Sequence, residues 1–80
     1  MTSYNLIVKA ENAEDAAAAV DDWLSMPVEQ STSLGYGEYM VNVVSDDVNF
    51  TRYLENWKRD TSPEQNGGTF ASDALLSWTS

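Results

Sequence analysis

Eighty residues are enough for one hydrophobic core and too few for two domains. Thirteen acids face four bases, a net charge of −9, and the chain has neither cysteine nor histidine. These counts exclude disulfides, thiolate and imidazole metal sites and His- or Cys-activated nucleophiles, and they disfavour nucleic-acid backbones and anionic membranes as direct partners.

The first element predicted is a strand from Tyr4 to Ala10, in which Leu6 and Val8 face one way and Asn5 and Lys9 the other. Asn12 is then a good helix N-cap, with Glu14 and Asp15 in the first turn, where the helix dipole favours acids. The helix is expected over Ala13 to about Leu24. At 100° per residue, Ala13, Ala16, Ala17, Val20, Trp23 and Leu24 share an apolar face. Glu14, Asp15, Asp21 and Asp22 fall on the other side, and Pro27 suits a stop beyond the helix. Val28 to Leu34 reads as a polar strand, Gly35-Tyr36-Gly37 as a turn, and Glu38 to Val44 as a more apolar strand.

Ser45-Asp46-Asp47 suits the cap of a second helix running from about Val48 to Arg59. There Phe50, Tyr53, Leu54 and Trp57 share one face and Arg52, Glu55 and Arg59 the other, with Glu55 and Arg59 spaced to pair. A polar loop follows over 60–68, marked by Pro63 and Gly67-Gly68. Thr69 to Trp78 fits a strand through Phe70, Ala74, Leu76 and Trp78, with a short helix after Ser72-Asp73 as the alternative. The order β-α-β-β-α-β over a single domain, 1–80, is that of an α+β ferredoxin-like split βαβ fold: an antiparallel sheet with two helices on one face.

No basic leader or long apolar run opens the chain, so a cytoplasmic protein is expected. The pairs Asp21-Asp22 and Asp46-Asp47 lack the alternating oxygens of a calcium loop, and no phosphate-binding loop is present. The sequence therefore predicts no catalytic residue, no metal site and no cofactor. The segment Gly35-Tyr36-Gly37-Glu38-Tyr39-Met40-Val41 resembles the glycine-aromatic central-strand motif of the RNA recognition fold. That resemblance implies exposed aromatics that stack bases. In this sequence Leu34 stands where a basic residue precedes that motif, Glu38 interrupts it, and the net charge repels phosphate. Tyr36 and Tyr39 are therefore expected to serve packing or protein contact.

Residues 1–50 hold nine acids and Lys9 as the one base, a net of −8, and residues 51–80 hold four acids and three bases, a net of −1. That asymmetry predicts a non-catalytic protein-binding or regulatory module. It would engage another protein through an acidic face and an exposed sheet, using Glu14, Asp15, Asp21, Asp22, Tyr36, Glu38, Tyr39, Asp46 and Asp47. The alternative is a small acidic inhibitor in the basic groove of a nucleic-acid-binding protein. In composition the chain resembles the acidic inhibitors of phages and mobile elements, some of which mimic DNA charge. Association of two copies and plain solubility, or adaptation to a salty cytoplasm, are the other accounts of the same composition.

Overall fold

Leu6 and Val8, two places apart, set the inward face of an inner strand, and the rest of the core assembles against them. The computed structural model describes residues 2–28 and 30–80. In it β1 spans Thr2–Lys9, α1 Ala13–Leu24, β2 Gln30–Gly35, β3 Glu38–Ser45, α2 Phe50–Asp60 and β4 Ala74–Thr79. The strands form one antiparallel sheet in the order β2-β3-β1-β4. With both helices packed on one face, this is the expected ferredoxin-like layout.

Register divides the strand residues between two environments. Leu6 stands opposite Val41 and Trp78, and Val8 opposite Tyr39 and Leu75. These side chains meet Ala16, Ala19 and Val20 of α1 and Phe50, Leu54 and Trp57 of α2 in one core. Each large side chain fully buried there contributes about 1.5–3 kcal/mol. On the other face Asn5 stands opposite Asn42 and Thr79, and Ile7 opposite Met40 and Ser77. No helix covers that side.

The helices end by different means. Asn12 caps α1 by accepting the Asp15 amide at 2.8 Å, and Ser25 closes it in the left-handed conformation, its amide donating to the Asp21 carbonyl. In α2 both the amide and the hydroxyl of the buried Thr61 donate to the Trp57 carbonyl. The β2–β3 hairpin turns through positive φ at Gly35, Tyr36 and Gly37, which the two glycines adopt without steric cost.

Tertiary packing shifts several expected details. The strand predicted to reach Ala10 ends at Lys9, and the one predicted over Val28 to Leu34 runs from Gln30 to Gly35. The buried face of α1 is Ala16, Ala19 and Val20, and Ala13, in the first turn, is exposed. Helix α2 begins at Phe50 and not Val48, which lies 92% exposed in a turn. In that turn Ser45 Oγ accepts the Asp47 amide and Asp47 Oδ1 accepts the Asn49 amide, so the expected caps are spent one step before the helix. Tyr53 is half exposed at the edge of the α2 apolar face. Arg59 turns to Asn56 and Asp60 and makes no pair with Glu55 among the described residues. The loop expected over 60–68 extends to Asp73, because Asn66 and Ala71 tie it back to the end of α2 and only Ala74 joins the sheet. The even-position alternation of the last strand also fails. A register shift opposite Ile7 and Val8 puts Leu75, not Leu76, against Val8.

Candidate binding surface

One end of the sheet gathers the ends of many elements. Lys9 closes β1, Asn12 opens α1, the β2–β3 hairpin turns, Thr61 closes α2 and Ala74 opens β4 there. The hairpin is joined to this end by the Ala10 amide, which donates to the Gly37 carbonyl at 2.9 Å. The loop before β4 is anchored from the core. The Trp57 indole Nε1 donates to the Asp73 carbonyl at 3.1 Å, and the Ala71 amide donates to the Thr61 carbonyl. Asp73 is held at φ 60, a left-handed conformation that Asp tolerates better than most residues.

An open cleft of about 490 Å³ lies at this end, lined by Glu11, Asp15 and Asp73 together with Lys9, Phe70 and Ser72. The Lys9 ammonium rests 5.4 Å from the centre of the Phe70 ring, a cation–π distance. Partial burial, and then the charges of Asp15, Asp22 and Glu11, raise the Asp73 carboxyl above its usual value of 3.8. Carboxylates from two other stretches of chain thus act on Asp73 here.

The acids expected to form a single α1 face divide into two rows. Asp15 and Asp22 share the row turned towards Asp73, about 10 Å apart along the axis. Glu14 and Asp21 lie about 100° around the helix from that row and face solvent. Tyr36 tips the hairpin at 98% exposure, and Glu38 stands opposite Lys9 in register. Tyr39 points to the helix side and packs on the core, away from the open face. The open face of β3 carries Met40, Asn42 and Val44, so no aromatic platform of the base-stacking kind forms on this strand. Asp46 and Asp47 lie at the opposite end of the sheet, where Ser45 pairs with Thr2.

Glu11, Phe70 and Asp73 are the members that sequence reasoning missed. Glu11 abuts the predicted N-cap, a position that signals only a helix start, and Asp73 carries no sequence signal that separates it from any loop acid. Among the described residues no group of three or more acids is placed to hold a metal ion, and no helix is long and apolar enough to cross a membrane. Comparison with known proteins finds no family model, no curated protein and no solved structure that matches the chain.

Proposed function

We propose that this chain is a non-catalytic protein-binding module that takes a basic protein segment at the acidic end of its sheet. The observation that carries the reading is the convergence of Glu11, Asp15 and Asp73, drawn from loop, helix and loop, around one cleft, with Asp22 close enough for its charge to act on Asp73. A cluster of like charges costs the fold something and favours an incoming Lys or Arg, whose approach it also accelerates. Phe70 beside the acids offers an aliphatic stem or a guanidinium plane an apolar wall. An inhibitor that occupies a nucleic-acid groove is the special case in which the basic segment lines such a groove. The Asp15–Asp22 row, continued by Glu11 and Asp73, favours that case over an isolated ion pair.

The test compares two double variants of equal charge. Asp15→Lys with Asp22→Lys, and Glu14→Lys with Asp21→Lys, each move the net charge from −9 to −5. Binding of a fluorescent decalysine peptide is read by anisotropy in low salt. The first double should lose at least about tenfold in affinity and the second about twofold or less. Equal losses would reduce the acidity to a diffuse field and remove this end as a site. For the inhibitor case, the wild-type chain should displace nucleic acid from a basic protein captured from host lysate, and the first double should not.

A further inference from the structure

We infer that the uncovered face of the sheet is a self-association surface, whose occupant is the same face of a second copy of this chain. Among the described carboxylates only Glu38 lies on a strand, and it stands opposite Lys9 in register, so the open face carries no net charge. The other described acids sit on α1, on α2 and in loops. Two molecules of charge −9 repel from most directions. Face-to-face approach of the open sheets points both sets of helices, and most of both sets of acids, away from the contact. A basic partner has no such reason to choose this face, because its one described carboxylate, Glu38, is offset by Lys9 opposite it.

The face is chemically suited to meeting itself. Ile7 and Met40 stand opposite one another near its middle, both half-buried, and Val44 lies further along the same face beyond Asn42. The Asn42 amide nitrogen donates to Asn5 Oδ1 at 2.9 Å and to Ser3 Oγ at 3.2 Å. That uses both of its donors and leaves the Asn42 carbonyl and the Asn5 amino group, an acceptor and a donor, for a partner. A two-fold axis through this region would bring each to its counterpart in the other copy. Strands of six to eight residues, four abreast, cover about 450 Å² per copy, or about 900 Å² for the pair. That lies below the standard size of a stable complex, so the dimer is a weak one.

Sedimentation equilibrium on the intact chain tests this. The mass should rise from 8.9 kDa towards twice that value between about 10 µM and about 1 mM protein. Added salt should strengthen the association by screening the remaining repulsion, whereas decalysine binding at the acidic end weakens in salt. The two surfaces therefore fail or succeed separately. Met40→Glu, and independently Thr32→Glu at an exposed position on the same face, should hold the chain at 8.9 kDa with an unchanged circular dichroism spectrum. An 8.9 kDa mass throughout the concentration range overturns the inference. So does a dimer that survives both variants and is lost in Ser33→Lys, since Ser33 belongs to the helix-side face of β2 and that result would place the contact at the sheet edge.

Discussion

The two ends of the sheet each carry acids that look alike in the sequence, yet they are used differently. At the β3–α2 turn Asp47 spends a carboxylate oxygen on the Asn49 amide, and the Phe50 amide donates to the Asp47 carbonyl. Asp47 there is part of the hydrogen-bonded frame of a turn. At the other end Glu11, Asp15 and Asp73 border a cleft, and among the described residues the Asp15 carboxylate accepts one long contact, 3.4 Å from the Asn12 side-chain amide, while the cap bond uses the Asp15 backbone amide. An acid that accepts a backbone amide holds structure, whereas acids gathered around a raised Asp73 carboxyl hold potential. The pairing of adjacent acids in the chain says nothing about which of the two it will be.

Three substitutions break or sharpen that contrast. Trp57→Phe should have the largest effect. It removes the donor that pins the Asp73 carbonyl and thins the contact with Trp23, whose ring stacks 5.9 Å away at 12°. Urea unfolding should show a loss of about 2 kcal/mol or more, and decalysine affinity should fall as the loop before β4 loosens. Unchanged affinity would mean that the cleft does not depend on this anchor. Asp47→Ala comes next. Loss of the turn bond should cost about 1 kcal/mol by the same measurement and leave decalysine binding unaltered. A binding defect there would erase the distinction between the two ends.

Asp73→Asn is the smallest and the most specific. Its carboxyl is raised in the folded state above the ordinary 3.8, so the folded chain holds that proton more tightly than the unfolded one. The site's contribution to stability is complete below 3.8 and declines as pH rises through the folded value. The variant should lack that decline, becoming slightly more stable than wild type at neutral pH and equal or less stable in acid. Thermal midpoints across the acid range measure the difference. Parallel curves for the two proteins would show that neither burial nor the neighbouring acids raise the Asp73 carboxyl.

Much of the fold was legible because local signals agreed with one another. The Asn12 cap, the alanines after it and Pro27 beyond it mark α1 without reference to the rest of the chain, and Ala13–Leu24 is where the helix lies. Alternation of Leu6 and Val8 against Asn5 and Lys9 marks β1 just as directly. The site was less legible. Asp15 and Asp22 were among the expected residues, but so were Glu14 and Asp21 beside them, and a rotation of about 100°, one residue along the helix, separates the row turned towards Asp73 from the solvated one. Tyr39 sat in a motif with an exposed aromatic, and only its register against Val8 shows that it faces the helices.

The sequence by itself determined the order of elements, the single core and the excess of acid in the first fifty residues, because these depend on composition, on periodicity and on caps a few residues long. Tertiary structure alone decided which acids meet. Glu11 and Asp73 are 62 positions apart, and they share a cleft because β1 pairs with β4 and Trp57 ties the preceding loop to the core. It also decided that the open face of the sheet carries no net charge. That follows from register, which sends Lys9 and Glu38 opposite each other and leaves the other described acids to the helices and loops.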